Sequence, residues 1–222
     1  GVYLNFPEFE KTQVLVQLTT KNNCVIQVVR GDILQDKSDC IVNAANENLA
    51  HGGGVAKEIV DRAGKKLLEE CAEIIKHKTT VPVGTSVFTT AGKLPFRGVI
   101  HTVGPVWKGG PSGEALLLRN ALNSALQMAC DKNFASISVP TISAGIFGYP
   151  KDQCAAVLVE TAIDFVQKST GSLKVIRFCE KSDDVIKFLV AAIRSYEKKF
   201  QVQNISNQME SFEVAYQWSW RE

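Results

Sequence analysis

The chain has 222 residues, with 25 Lys and Arg against 23 Asp and Glu, a formal net charge of +2. That length suits one large domain, or one domain with an appendage, and so small a net charge excludes binding to nucleic acid by bulk charge, so any anion must be held at a local site. With 45% hydrophobic and 22% charged residues, no apolar run near the roughly 20 residues that span a bilayer and no signal-peptide pattern, we expect a soluble protein of the cytoplasm or nucleus, away from membranes.

In chain order, residues 1–13 read as a lead-in to a domain covering 14–200. Residues 14–18 and 24–29 are strand-like around Lys21-Asn22-Asn23 and pair as a hairpin. Gly31-Asp32 closes that unit, and 40–45 is a further strand. Helical periodicity covers 55–63 and 65–76, with Gly64 as a cap between the two. Residues 86–90 and 98–103 are β-rich on either side of a Gly/Pro turn. A helix over 113–131 follows, with Leu118, Ala121, Leu122 and Ala125 on one apolar face. Then come a short buried strand (137–140), a helix (152–167), a strand (173–179) and an amphipathic helix over 183–199. From residue 201 the helical period is lost. That tail, with Trp218 and Trp220, reads as a linker or the start of a cropped neighbouring module, because about 20 residues cannot enclose a core.

A hairpin followed by strand–helix alternation predicts an α/β fold: three α/β/α layers around a mixed, mostly parallel sheet. In such folds sites form where strands end at their carboxyl side and loops run into helices. The loops at 31–33, 43–54 and 140–148 therefore carry the search. The six cysteines and three histidines are scattered without zinc-ligand spacing, so neither a metal nor a disulfide framework is expected.

The loop "NAANENLAHGGGVA" places three consecutive glycines, Gly52, Gly53 and Gly54, at the opening of a helix. Without Cβ atoms, backbone N–H groups can approach a phosphate, and the helix dipole favours its charge. Taken alone, a triple glycine is more often a hinge or a tight crossing. A second small-residue loop between strand and helix, "TISAGIFG" over 141–148, makes a pair that can clamp a diphosphate from two sides. Neither is a P-loop nor a G-x-G-x-x-G fingerprint. A diphosphate that is internal and flanked by sugars fits better than a terminal phosphate.

The segments "VVRGDI", "CIVNAANENLAHGGGVA", "VIHTVGPVW" and "VPTISAGIFGYP" together resemble the macrodomains, which bind ADP-ribose. The similarity covers residues 14–199 and is greatest to macrodomains found in tandem within large ADP-ribosyltransferases; the "HGGGVA" form also resembles viral macrodomains. The resemblance implies the following roles. Asp32 accepts from the adenine amino group, Ile33 backs the ring and Phe178 stacks on it. Asn46 binds the distal ribose, while Asn43 supports the loop backbone. Gly52, Gly53 and Gly54, with Val55 packed against them, pass beneath the distal ribose and diphosphate. Ser143, Ala144, Gly145, Ile146 and Phe147 form the opposing loop, with Phe147 beside the distal ribose. His101 is structural.

Macrodomains either hold ADP-ribose or remove it from modified proteins. One hydrolytic branch carries an Asp where this chain has Ala56; the viral-like pattern combines the loop Asn with a His before the glycines, here Asn46 and His51. His51 can orient the ribose or relay a proton, or simply pack the loop. The expected function is therefore ADP-ribose binding with hydrolytic removal of mono-ADP-ribose, the alternative being a reader without turnover. Catalysis would rest on Asn46, His51 and Phe147, without a cofactor. The expected partners are mono-ADP-ribosylated proteins, extending to ADP-ribosylated nucleic-acid ends, met by a monomeric domain of a larger multidomain protein.

Overall fold

The computed structural model describes residues 12–169 and 171–206, so most of the lead-in and the tail from 207, including Trp218 and Trp220, lie outside the described residues. The chain runs β1 (Thr12–Thr19), β2 (Val25–Gly31), a 3₁₀ turn (Ile33–Gln35), β3 (Cys40–Ala45), α1 (Gly54–Ala63), α2 (Lys65–Lys78), β4 (Ser86–Thr89) and β5 (Gly98–Val103). It continues through α3 (Glu114–Asp131), β6 (Ser136–Val139), α4 (Lys151–Lys168), β7 (Val175–Glu180), α5 (Asp183–Arg194) and β8 (Gln201–Asn204). One sheet has the order β4-β5-β3-β6-β7-β2-β1-β8. The inner strands β5, β3, β6, β7 and β2 are parallel, and β4, β1 and β8 pair antiparallel at the edges.

The period of two along each strand divides the core. In β3, Cys40 and Val42 join a cluster packed under α3, α4 and α5, whereas Ile41 and Ala45 join a second cluster under α1 and α2. Helices thus cover both faces of the mixed sheet, giving the three layers expected. Between β3 and β6 the chain leaves in opposite directions: β3 leads outward to β4 and β5, and β6 leads to β7. A crevice opens at the carboxyl ends of strands at such a switch point.

Two boundaries differ from the sequence reading. The last helix ends at Arg194, because Tyr196, Glu197 and Lys199 bond to carbonyls three residues back and tighten the chain into turns. Residues 201–204, read as linker, form β8 against β1. Backbone pairing makes this edge strand, and its side chains are mostly exposed, so no apolar alternation announced it.

A buried ion pair ties the strands together. Arg177 of β7 grips Asp36 with two guanidinium nitrogens at 2.8 and 2.9 Å, and Ser138 of β6 and Thr12 of β1 donate to the same carboxylate. Burial raises the Asp36 pKa, but the Arg177 and hydroxyl contacts outweigh it and hold the group below its ordinary value.

Candidate functional site

A cleft of about 630 Å³ lies over the carboxyl ends of β3 and β6, walled by the loop into α1 on one side and the loop into α4 on the other. The two glycine-containing loops face each other here because their strands are neighbours in the sheet.

The floor on the α1 side is bare. An added Cβ at Gly52, Gly53 or Gly54 would meet no atom of the described residues within 4 Å. Gly53 is the helix N-cap and provides no side-chain cap, so the first-turn N–H groups of α1 remain for a ligand. Gly54, at φ 59°, needs the left-handed conformation that glycine adopts without strain. Val55 and Ala56 continue the wall.

The opposing loop closes through the N–H groups of Ala144, Gly148 and Tyr149, leaving those of Gly145, Ile146 and Phe147 without a backbone acceptor among the described residues. A Cβ on Gly145 would also meet open space. Ser143 holds φ 69° with its side chain buried. The loop sits this low because Gly104 has no side chain: a Cβ there would fall 2.3 Å from Ser143 Oγ. Ile146 is fully exposed at the rim, and the Phe147 carbonyl accepts from Trp107 N–H at 2.8 Å.

The two asparagines divide the work differently from the sequence reading. Asn46, which lines the cleft, is also the residue that holds the loop: its amide bonds both the N–H and the carbonyl of Ala50. Asn43, expected to support the loop backbone, instead points its Nδ2 at His101 Nδ1, 3.1 Å away, and its Oδ1 is buried without a partner among the described residues. His51 lies between two lining residues, Ala50 and Gly52. Its ring stands 6.0 Å from the buried His101 ring, and its Nε2 is buried without a partner among the described residues. Burial lowers the His51 pKa, which keeps the imidazole neutral near pH 7.

At the other end the cleft reaches Glu180, which ends β7, and Ser182 and Val185 at the start of α5. Glu180 accepts from the N–H and hydroxyl of Thr141, both at 2.6 Å. Asp32 is close by: its carboxylate lies 3.9 Å from Lys181 and 3.4 Å from Arg62, and it accepts from Leu34 N–H. Neither Asp32 nor Ile33 belongs to the cleft wall itself. Phe178 requires a correction. Its side chain is 0% exposed within the cluster under α3, α4 and α5, so it presents no ring face on which adenine can stack.

Sequence reasoning passed over Gly104, Lys151, Glu180 and Ser182, all of which line the cleft. Glu180 and Ser182 carried a usable signal, since one ends and the other follows a strand adjacent to β6, at its carboxyl end. Among the described residues no group of His, Cys, Asp and Glu is arranged to hold a metal ion, and no helix is long and apolar enough to cross a membrane.

The family model for the Macro domain matches residues 42–158. An O-acetyl-ADP-ribose deacetylase of Citrobacter rodentium is 41% identical over 157 residues, covering 71% of this chain and 89% of that protein. An uncharacterized protein of Thermotoga maritima is 44% identical over 178 residues, and the chain spans only 28% of its length. Among solved structures, the Oceanobacillus iheyensis macrodomain with ADP superposes with a TM-score of 0.78 at 33% identity, over 84% of this chain and 99% of that one. The Trypanosoma brucei macrodomain in complex with ADP-ribose superposes at 0.69 and 31% identity, over 76% of this chain and 68% of that one.

Proposed function

The chain belongs to the macrodomain family, and from that premise we propose that its cleft holds ADP-ribose and that it hydrolyses mono-ADP-ribose esters on modified proteins. One observation carries this reading: two strand-to-helix loops face each other with open space over Gly52, Gly53, Gly54 and Gly145. Backbone N–H groups on both sides can then reach an internal diphosphate. The distal ribose lies toward Asn46 and Phe147, and the adenosine toward Asp32. The solved relatives with ADP and ADP-ribose support the ligand class. The named deacetylases support ester chemistry on that ligand.

A carboxylate ester on the distal ribose already has a good leaving group. Holding a water near the anomeric carbon and stabilising positive charge on the sugar therefore supply most of what is needed. A ligand phosphate oxygen and the loop backbone hold that water, neutral His51 takes its proton as the oxygen bonds to the anomeric carbon and the carboxylate leaves, and Asn46 orients the ribose. The domain would serve as one module of a larger ADP-ribosyltransferase-type protein in the cytoplasm or nucleus, an assignment that rests on the sequence resemblance.

Ala56 favours a second reading. It lines the cleft where one hydrolytic branch has an Asp, so no carboxylate stands there to activate water. A reader that binds without turnover is consistent with that. Incubation with a protein carrying label on a carboxylate-linked ADP-ribose, and separately with O-acetyl-ADP-ribose, decides between the two. Release of label above a buffer control, lost in Asn46→Ala, is expected; tight binding with no release from either substrate leaves the reader.

A further inference from the structure

Behind the cleft wall a chain of hydrogen bonds runs from β4 through β5 to Asn43, and the direction of each can be assigned. Thr89 has one hydroxyl hydrogen and donates it to the Thr90 carbonyl at 3.0 Å. Asn43 Nδ2 can only donate, so its contact with His101 Nδ1 puts the imidazole hydrogen on Nε2, from which the Thr89 oxygen, 2.8 Å away, accepts. Burial and the neighbouring His51 push the His101 pKa down to about 3, so the ring is neutral. Its Nδ1 then carries a lone pair, and Asn43 Nδ2 at 3.1 Å must donate to it. The thiol of Cys71 also faces Nε2, but at 4.0 Å it does not compete with the hydroxyl.

These directions fix the other end of the amide. Asn43 and His101 are register partners on β3 and β5, both essentially buried. With Nδ2 held by the imidazole, Oδ1 is the atom left over, and it has no donor among the described residues. Asn43 nevertheless lines the cleft. A buried acceptor without a donor is unfavourable, and a ligand that brings an O–H to it removes that cost on binding.

We infer that His101 is a positioning residue: the relay Thr89–His101–Asn43 holds Asn43 Oδ1 as a fixed acceptor for an O–H donor in the cleft, which, resting on the function proposed above, is a hydroxyl of the distal ribose. With the opposite tautomer the amide would turn over and present Nδ2–H, and the hydroxyl would then have to accept there and give its own hydrogen elsewhere. The remote hydroxyl of Thr89, which takes no part in the cleft wall, thus sets the polarity of a binding contact two residues away along the relay.

Two measurements test this on the intact chain. Nitrogen-15 spectra of the imidazoles, recorded without ligand, report which nitrogen of His101 bears the hydrogen. The relay requires Nε2–H, and finding Nδ1–H overturns it. The second measurement is ADP-ribose affinity by calorimetry for Thr89→Val and Thr89→Ser. Valine keeps the side-chain volume but removes the acceptor; we expect affinity to fall roughly tenfold with a mixed tautomer signal. Serine keeps the hydroxyl, and we expect affinity within about threefold of the parent despite the lost methyl. Equal losses in the two variants, or no loss in valine, contradict the relay. If the parent chain does not bind ADP-ribose at all, the functional reading fails by itself, and the His101 spectrum alone decides the direction of the relay.

Discussion

Asn46 clasps Ala50 with both ends of its amide: Oδ1 accepts from the Ala50 N–H at 2.9 Å, and Nδ2 donates to the Ala50 carbonyl at 3.1 Å. One N–H and one lone pair remain for a ligand. A single residue therefore shapes the loop and can meet a sugar diol. Asn46→Ala should speed hydrogen exchange across residues 47–53 and weaken ADP-ribose by roughly tenfold or more. If the proposed turnover occurs, kcat should fall further than affinity. Unaltered exchange would show that the clasp does not hold the loop.

His51 has a pKa lowered by burial from its ordinary 6.5. A base of this kind stays unprotonated as pH falls to and below 6.5, so activity should persist there and decline only on further acidification. His51→Gln should lower kcat by roughly 100-fold, leave KM within a few-fold, and remove that acid limb. A variant with an unchanged kcat profile would make His51 a packing residue of the loop.

Asp32 both caps the 3₁₀ turn and stands between Lys181 and Arg62. Asp32→Asn keeps an oxygen for Leu34 N–H, so the melting temperature should hold. ADP-ribose affinity should nonetheless drop by about 1.5–3 kcal/mol, the range for a hydrogen bond to a charged group. The preference for the adenine over the guanine analogue should narrow as well. Equal affinity in parent and variant, measured by calorimetry, would remove Asp32 from the adenine end.

Acid should destabilise the domain in two separate steps. His101 has a folded pKa of about 3 against an ordinary 6.5, so the unfolded chain takes up the proton first. Its stabilising contribution is complete above 6.5 and declines as pH falls toward about 3, and His51 acts in the same direction. Asp36 is held below 3.8 by Arg177 and the hydroxyls, so its contribution is present above 3.8 and is lost only as pH falls further. Urea unfolding between pH 7 and ~4 should show falling stability in the parent and a flatter dependence in His101→Gln. An equally steep fall in that variant would assign the loss to other groups.

The mixed, mostly parallel sheet was legible because each strand and helix carries its own period and the glycine loops fall between them. The loop positions followed from the same alternation. Side-chain partners were not legible in this way. Asn43 and Asn46 lie three residues apart with identical chemistry, and only the pairing of β3 with β5 puts one against His101. The resemblance makes Phe178 a ligand platform, and core reads nearly as well, because a strand residue two positions before the strand end does not declare its face; in the fold that face packs under α3, α4 and α5. β8 was hidden for a different reason: an exposed edge strand needs a partner backbone, not an apolar pattern. Glu180 and Ser182 reach the cleft through the order of strands in the sheet, which the linear chain does not display.

The central claim is that the cleft between the two loops holds ADP-ribose, and calorimetric titration of the parent chain and Gly145→Val tests it most directly. A Cβ on Gly145 meets no atom of the described residues within 4 Å, and its φ lies outside the left-handed region, so valine should fold without strain and fill only the space meant for the diphosphate. The account predicts one-site binding by the parent, and at least a hundredfold loss in the variant at an unchanged melting temperature. Equal affinity in the two proteins, or no binding by the parent, would contradict it.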